Sequence, residues 1–292
     1  MSAFVKALEQ AEQDRALRRL PAPSEPTGAQ ADAAPETVPS DGRPAPPERP
    51  SGAAHGFEEH LVSLLAPTSF EAEQYRALRH LVEQLHKSSG LSVIAVSSPG
   101  VADGKTTTAI NLAGALAQAP DARVLLIDGD LRGAAVAANL GLDERAHRGL
   151  VDAILDANLP LEAVAQARPD INLSVLPAGR LSSAPYEVLK SPRLGDLLAA
   201  ARRQYDYVVL DTPPLVSFPD CRVIGKWVDG LLIVVSAHRT TRRLLEEALY
   251  VTEPINVVGL VFNGDDRHLS RNSYASRRSG SRNGRRASAS DE

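Results

Sequence analysis

The chain has 292 residues, a formal net charge of −4 and a single cysteine. One cysteine excludes an intramolecular disulfide and is typical of proteins in a reducing compartment. No apolar run approaches the roughly 18 residues of a membrane span, and the charged residues 1–20 lack the apolar centre of a signal peptide. The composition therefore predicts a soluble, intracellular protein with one domain of ordinary size and additional segments.

The N-terminal part is predicted to be a helix followed by a linker. Residues 1–20 place Phe4, Val5 and Leu8 on one side of a helix, which predicts an amphipathic docking helix for a partner or a membrane surface. A frayed terminus without a role is the alternative. Residues 21–56 hold nine of the 21 prolines among Ala, Glu and Ser, and are predicted to be a disordered linker.

Residues 57–264 are predicted to form the main domain. A helix from 70 to 86, capped by Ser69 or Thr68, comes first. From Leu91 onward, strand-like and helix-like runs alternate as in βαβ units, which predicts an α/β fold with a mainly parallel sheet flanked by helices. Strands are expected near 91–97, 123–128, 172–177, 206–211, 230–236 and 257–262, and helices near 105–118, 149–157, 191–204, 219–227 and 240–252.

Residues 265–292 are predicted to be a disordered basic tail. Between 267 and 290 the tail has seven arginines, no lysine and no acidic residue, and it holds almost no apolar residue. Arginines bind phosphates without sequence preference, so the tail is compatible with nucleic acid or anionic lipid. No specific nucleic acid is expected.

The first of three strand-end motifs is a glycine-containing loop at residues 97–107 (SSPGVADGKTT), directly after a predicted strand. Gly100 and Gly104 allow the backbone to come close to phosphates, and the helix that follows offers its N-terminal amides to the same anion. The loop residues predicted to bind a nucleotide are Gly100, Asp103, Gly104, Lys105, Thr106 and Thr107.

Lys105 and Thr106 give this loop its chemistry. Lys105 is predicted to contact the β- and γ-phosphates, and the Thr106 hydroxyl to coordinate Mg²⁺. The spacing differs from the usual G-x-x-x-x-G-K-[ST] pattern, because Pro99 stands six positions before the lysine. The expected cofactors are ATP and Mg²⁺.

The other two motifs end apolar strands with carboxylates. Asp128 and Asp130 follow the run 124–127 (VLLI), and Asp211 ends the run 207–211 (YVVLD). Open α/β sheets bind ligands at the carboxyl ends of their strands. Thr106, Asp128 and Asp211 are predicted to hold the metal, and the predicted catalytic residues are Lys105, Asp128, Asp130 and Asp211. A simple Asp-Gly-Asp turn is the alternative for the second motif.

These motifs resemble those of the bacterial tyrosine autokinases of capsule and exopolysaccharide synthesis, the CpsD/CapB-like BY-kinases, over about residues 61–264. The resemblance identifies 97–107 as Walker A, 127–132 as Walker A′ and 206–214 as Walker B. It implies an ATP-dependent protein-tyrosine autokinase with ATPase activity, in which Asp130 assists the tyrosine hydroxyl as a base. It further implies that Arg132 belongs to the nucleotide site and that Asn263 contacts adenine.

A fourth motif is the E-x-x-R-x-x-R spacing of Glu73, Arg76 and Arg79. Steps of three place these charges along one side of a helix. In the family this side packs subunit against subunit, in a ring where one protomer presents its tail to the next. The resemblance therefore implies a homo-oligomeric ring, with a solvated charged stripe as the alternative.

The resemblance also implies a partner and a location. Soluble members of the family work with a membrane-anchored polysaccharide co-polymerase whose cytoplasmic end activates them, so a cytoplasmic protein, peripheral at the inner face of the membrane, is expected. Two departures stand out. Ala102 lies where the family often has glycine, and Tyr274 is the only tail tyrosine, and thus the only tail phosphoacceptor, where family members usually carry a cluster.

Three functions stay open at this point. The first is the kinase, which phosphorylates Tyr274 or another protein and so regulates polysaccharide polymerisation and export. The second is a kinase-inactive, ATP-switched assembly factor of the export machinery, suggested by the poor acceptor tail. The third is a positioning ATPase of the plasmid-partitioning or septum-site type. Those proteins carry an extra lysine early in the phosphate loop, whereas the nearest lysine before Lys105 is Lys87.

Overall fold

The computed structural model describes residues 57–142, 148–168 and 171–265. These residues form a seven-stranded sheet with helices on both faces, which confirms the predicted α/β fold. Within these ranges no helix has the length and apolar character needed to cross a bilayer. The predicted N-terminal helix and linker, and the tail beyond Asp265, lie outside the described residues.

The strands are β1 (Val93–Ser97), β2 (Val124–Asp128), β3 (Gln166–Arg168), β4 (Leu173–Leu176), β5 (Tyr207–Asp211), β6 (Gly230–Ser236) and β7 (Val257–Asn263). The helices are α1 (Val62–Leu65), α2 (Phe70–Ser89), α3 (Lys105–Ala117), α4 (Val136–Asn139), α5 (Leu150–Leu155), α6 (Pro185–Lys190), α7 (Pro192–Gln204), α8 (Asp220–Ile224) and α9 (Arg242–Val251). The strand order is β3-β4-β2-β5-β1-β6-β7, with β3 antiparallel to β4 and every other pair parallel.

All six predicted strands are present, within two residues of their predicted limits. The edge strand β3 was not predicted, because its three residues, Gln-Ala-Arg, carry no apolar pattern. The helix predicted over 191–204 begins at Pro192, and the unpredicted α6 precedes it. Ser191 separates the two helices and accepts a hydrogen bond from the Arg193 amide, as an N-cap does.

The central strands are buried on both faces, as expected for a parallel sheet covered by helices. Since successive side chains point to opposite faces, Ile94 and Val209 pack with α2 and α3, while Val93 and Leu210 pack with α5 and α7. Full burial of each such side chain stabilises the fold by about 1.5–3 kcal/mol. The apolar runs that predicted the strands therefore also form the core.

Strand β5 lies between β1 and β2, so the three strand-end motifs share one edge of the sheet. Asp128 is in register with Asp211, and Val96 is in register with Asp211 on the other side. The Gly129 amide donates to the Asp211 carbonyl at 2.8 Å, and a Cβ at Gly129 would come as close to that oxygen. Glycine at this position lets the second motif run beside the third.

Candidate active site

The phosphate loop connects β1 to α3. Gly104 has φ +94°, and a Cβ on it would lie 2.0 Å from the Asn263 Nδ2 atom, so only glycine fits. Lys105 is the first residue of α3, whose first amides have no partner within the helix. Together the loop and the helix N-terminus form a backbone site suited to an anion.

Lys105 and Thr106 contact the carboxylates of the other two motifs. The Lys105 Nζ atom lies 2.6 Å from Asp130 Oδ2 and 3.7 Å from Asp211 Oδ2. The Thr106 hydroxyl donates to Asp211 Oδ2 at 2.6 Å. Predicted residues from all three motifs thus meet at one point, although Lys105 and Asp211 are 106 positions apart in the chain.

Three buried carboxylates surround one ammonium group. Asp128, Asp130 and Asp211 are 1%, 5% and 0% exposed. Burial raises the pKa of Asp128 to about 7, with the charge of Asp211 adding to the effect, and burial likewise raises the pKa of Asp211 to about 6. Burial lowers the pKa of Lys105, but the charges of Asp211 and Asp130 outweigh it, so the net pKa is raised. The site has excess negative charge and favours a further cation.

One oxygen of this cluster has no partner. Asp211 Oδ1 is buried and makes no hydrogen bond, which is rare for a buried polar atom. The donors at this point, a hydroxyl and carboxylates, are the oxygen ligands that Mg²⁺ prefers. Among the described residues no group of three or more His, Cys, Asp and Glu side chains is arranged to hold a metal unaided. Thr106 and Asp211 therefore fit Mg²⁺ that takes its other ligands from water and phosphate.

Asp128 and Asp130 also shape the turn after β2. Asp128 Oδ2 accepts hydrogen bonds from the Ala135 and Val136 amides at 3.1 Å each. Asp130 Oδ1 accepts from the Arg132 and Gly133 amides, while Oδ2 faces Lys105. The turn interpretation of the Asp-Gly-Asp motif is compatible with the site interpretation, because the same turn contacts position Asp128 and place Asp130 against Lys105. The roles of both aspartates in metal binding and catalysis stay predictions.

Arg132 pairs with an aspartate that the sequence analysis did not identify. Its Nε donates to Asp220 Oδ2 at 2.6 Å and its Nη2 to Asp220 Oδ1 at 3.2 Å, while its guanidinium lies 4.4 Å from the centre of the Phe218 ring. Asp220 is fully buried. Arg132 is 88 positions from Asp220 and nothing in the local sequence marks the pair. A contact between Arg132 and the nucleotide stays a prediction.

Asp103 lies in the phosphate loop, and Asn263 contacts it from the end of β7. The side-chain amide of Asn263 (Nδ2) donates to the Asp103 carbonyl at 3.0 Å, which places Asn263 beside Gly104. The Asp103 carboxylate accepts from the Gly100 amide at 2.9 Å and from the Thr240 hydroxyl at 2.9 Å. The predicted contact of Asn263 with adenine is not tested by these positions. Thr240 was not anticipated, since it lies 137 residues from Asp103.

The charged side of α2 is only partly available to a neighbour. The helix begins after Ser69, whose hydroxyl accepts from the Ala72 amide, as predicted. Glu73 and Arg76 pair with each other, and Arg79 pairs with Glu83 at 2.6 Å. Arg79 also donates to the carbonyl of Ala115 in the last turn of α3, which holds the two helices together. The role of Glu73, Arg76 and Arg79 in a ring stays a prediction, and Tyr274 lies outside the described residues.

The fold and the site together define a P-loop nucleoside-triphosphatase-like protein, and the family described as "AAA domain" matches residues 91–245. Tyrosine-protein kinase YwqD of Bacillus subtilis (strain 168) is 31% identical over 210 residues, which cover 71% of this chain and 87% of that protein. The chain therefore belongs to the family of bacterial tyrosine-protein kinases, as the motifs predicted.

Two further comparisons agree. Succinoglycan biosynthesis transport protein ExoP of Rhizobium meliloti (strain 1021) is 34% identical over 207 residues, 69% of this chain but only 26% of that protein. Among solved structures, the kinase domain of Escherichia coli tyrosine kinase ETK superposes with a TM-score of 0.68 at 25% identity, covering 77% of this chain and 87% of that chain. The chain thus spans most of the Bacillus protein and about a quarter of the Rhizobium protein.

Proposed function

We propose that this protein is an ATP-dependent protein-tyrosine autokinase that regulates exopolysaccharide or capsule polymerisation and export. The observation that carries the proposal is the meeting of Lys105, Thr106, Asp130 and Asp211, with separations of 2.6–3.7 Å, at the edge of the sheet. Phosphoryl transfer is catalysed mainly by positioning and by electrostatic stabilisation, and this cluster supplies a cation, a metal position and a base.

In the proposed reaction the loop amides and Lys105 bind the phosphates of ATP. Lys105 contacts Asp130 in the structure, so bound phosphates would compete with Asp130 for the ammonium group. Once Lys105 turns to the phosphates, Asp130 accepts the proton of the tyrosine hydroxyl. The tyrosine oxygen attacks the γ-phosphorus at the same time. An O–P bond to tyrosine forms, the bond between the γ-phosphorus and the β,γ-bridging oxygen breaks, and ADP leaves.

The metal position has a defined donor set. Thr106, Asp128 and Asp211 would hold Mg²⁺, directly or through its water ligands. The ion, when bound, would neutralise charge on the phosphates. The unpartnered Asp211 Oδ1 and the excess of carboxylates over ammonium groups support this assignment.

The acceptor and the assembly are proposed from the family. Tyr274 lies nine residues beyond Asp265, a span of at most about 30 Å when extended, so it can reach a neighbouring site at short range. A ring formed through Glu73, Arg76 and Arg79 would present each tail to the next subunit. Arg79 already contacts Ala115 and Arg76 already contacts Pro67 within the chain, so the exposed Glu73 would be the most accessible of the three to a neighbour.

A membrane-anchored polysaccharide co-polymerase is the proposed activator. The region that matches the Rhizobium transport protein is 26% of that protein. The family resemblance, in which soluble members work with such a partner, supports the proposal, and the partner would hold this protein at the inner face of the membrane.

The single tail tyrosine favours a second candidate, an ATP-switched assembly factor without kinase activity. Tyr274 is the only tyrosine after Tyr250, whereas multi-site autophosphorylation needs several acceptors. Such a protein would bind and hydrolyse ATP through the same cluster, and would change its assembly state without modifying tyrosine.

Phosphotyrosine mapping by mass spectrometry separates the two candidates. The purified protein would be incubated with Mg²⁺-ATP, with and without the cytoplasmic segment of the candidate co-polymerase, beside Lys105→Ala and Tyr274→Phe. If the protein is a kinase, Tyr274 should carry phosphate in the wild type, and this phosphate should be absent from both variants. ATP hydrolysis without any phosphotyrosine, with the activator present, would reject the kinase and leave the switch.

A further inference from the structure

The outer turn of the phosphate loop adopts a backbone conformation that its sequence does not favour. Ala102 has φ +58°, in the left-handed region that a residue with a Cβ adopts only at a cost. A turn of this kind persists when contacts from the surrounding structure hold it in place. The loop therefore needs restraint from outside its own sequence.

Three contacts from distant parts of the chain supply this restraint. The Thr240 hydroxyl donates to Asp103 Oδ1 at 2.9 Å, and the side-chain amide of Asn263 donates to the Asp103 carbonyl at 3.0 Å. Arg239 Nη1 donates to the Ala102 carbonyl at 3.3 Å. Thr240 and Arg239 lie in the connection from β6 to α9, and Asn263 ends β7, so two neighbouring segments fix the same turn.

The Asp103 carboxylate has both of its oxygens occupied inside the protein. Oδ1 accepts from Thr240, and Oδ2 accepts from the Gly100 amide at 2.9 Å, which ties the start of the turn to its end. The residue is 4% exposed. A carboxylate so engaged repels a phosphate rather than binding it, so the part played by Asp103 is to shape the loop.

The Thr240 hydroxyl connects this carboxylate to the sheet. It accepts a hydrogen bond from the amide of Ser236, the last residue of β6, at 3.0 Å and donates to Asp103. A hydroxyl has one donor and can accept as well, so both contacts can exist together. Removing it would leave a strand amide and a carboxylate oxygen without their partners, which costs more than a typical hydrogen bond.

We infer that Asp103 and Thr240 are positioning residues whose side chains hold the phosphate loop in its nucleotide-binding shape without themselves touching the nucleotide. The pair is called the loop latch below. This inference rests on the proposed function, because it assigns the latch to the nucleotide site. Neither residue acts on the reacting atoms, so the latch sets how well the nucleotide binds more than how fast the bound complex reacts.

The test compares two adjacent threonines. In Thr240→Val the Kd of Mg²⁺-ADP and the KM for ATP are expected to rise about tenfold, as for the loss of a hydrogen bond to a charged group. The turnover number should change much less than KM. Thr240→Ser keeps the hydroxyl and should restore binding to within about twofold of wild type.

Thr241→Val is the matched control. The Thr241 hydroxyl accepts from the Leu244 amide at 3.3 Å as the N-cap of α9, and the same substitution removes a hydroxyl of the same size one residue away. Loss of the cap should lower the melting temperature while nucleotide affinity stays within about twofold of wild type. Equal weakening of nucleotide binding in both valine variants would overturn the inference and indicate a general loss of stability.

Hydrogen exchange of the nucleotide-free protein tests the latch independently of nucleotide binding. Amides of residues 100–104 should exchange faster in Thr240→Val than in wild type. In Thr241→Val and Thr240→Ser they should exchange at the wild-type rate. Unchanged exchange in Thr240→Val would overturn the latch whatever the nucleotide data show. If the wild type binds no Mg²⁺-ADP, the proposed function fails, and faster exchange confined to Thr240→Val would still support the structural part of the inference.

Discussion

Asp211 and Asp220 are both fully buried, yet their surroundings differ in one decisive respect. Asp220 has both oxygens bonded to the guanidinium of Arg132, which balances its charge. Asp211 shares the single ammonium of Lys105 with Asp130 and leaves Oδ1 without a partner. A balanced pair of this kind maintains the fold, whereas an unbalanced one is a site that a ligand completes. The comparison therefore supports a structural role for Asp220 and the proposed ligand-binding role for Asp211.

Removal of Lys105 should break the functional site with the largest effect. Lys105→Ala deletes the ammonium group that pairs with Asp130 and Asp211, and the phosphates lose their main electrostatic partner. Tyrosine phosphorylation should fall by roughly a hundredfold or more. The check is the initial rate of phosphotyrosine formation, with circular dichroism to show that the variant is folded. A folded variant with near-normal activity would show that the nucleotide lies elsewhere.

Removal of Arg132 should break the structural pair and affect stability first. Arg132→Leu leaves Asp220 buried without its partner, which costs up to about 3 kcal/mol, since a lost partner in a buried pair costs about 3–5 kcal/mol and Arg132 itself is partly exposed. Urea unfolding measures the loss. The double variant with Asp220→Asn should recover part of it. No recovery would mean that Arg132 stabilises mainly through Phe218.

Neutralising Asp211 should raise the stability of the folded protein, whereas removing Arg132 lowers it. Burial holds the pKa of Asp211 at about 6, above its unfolded value of about 3.9. The folded state thus binds this proton more tightly, so the contribution of Asp211 to wild-type stability falls as the pH rises from about 4 to about 6. Asp211→Asn should stabilise the nucleotide-free protein at pH 7.5 by about 1 kcal/mol while abolishing activity.

The measurement for Asp211→Asn is the melting temperature of both proteins between pH 4 and pH 8. Their difference should be small near pH 4 and grow toward neutral pH. A variant that is less stable than wild type at pH 7.5 would show that the hydrogen bond from Thr106 outweighs the excess charge.

A smaller gain should come from relieving the loop. Ala102→Gly suits φ +58° without a Cβ, but glycine also makes the unfolded chain more flexible. The net change should be a stabilisation of about 0.5 kcal/mol or less. Because the loop latch already holds the turn, nucleotide affinity should change little in this variant. A large gain in affinity would mean that the latch leaves the turn poorly ordered.

Those features that depend on short stretches of sequence could be predicted. The apolar runs before Asp128 and Asp211 predicted buried parallel strands, and the carboxyl ends of such strands meet at one edge, which brought Lys105 and Thr106 to the carboxylates. The helix start at Ser69 was predicted for the same reason, since a cap lies within three residues of its partner.

Contacts between distant segments could not be predicted. Asp220 follows Pro219 and reads as an ordinary helix start, and Thr240 precedes another helix in the same way. Only the folded sheet shows that the first is 2.6 Å from Arg132 and the second 2.9 Å from Asp103. Arg79 was expected on a subunit interface by resemblance, and its contact with Ala115 depends on how α2 packs on α3.

Calorimetric titration with ADP, in the presence of Mg²⁺ and in EDTA, tests most directly whether the unbalanced carboxylate site receives a metal-nucleotide. ADP should bind wild type at least about tenfold more tightly with Mg²⁺ than in EDTA. This gain should disappear in Asp211→Asn. Equal affinity with and without Mg²⁺, or an undiminished gain in Asp211→Asn, would contradict the assignment of the site.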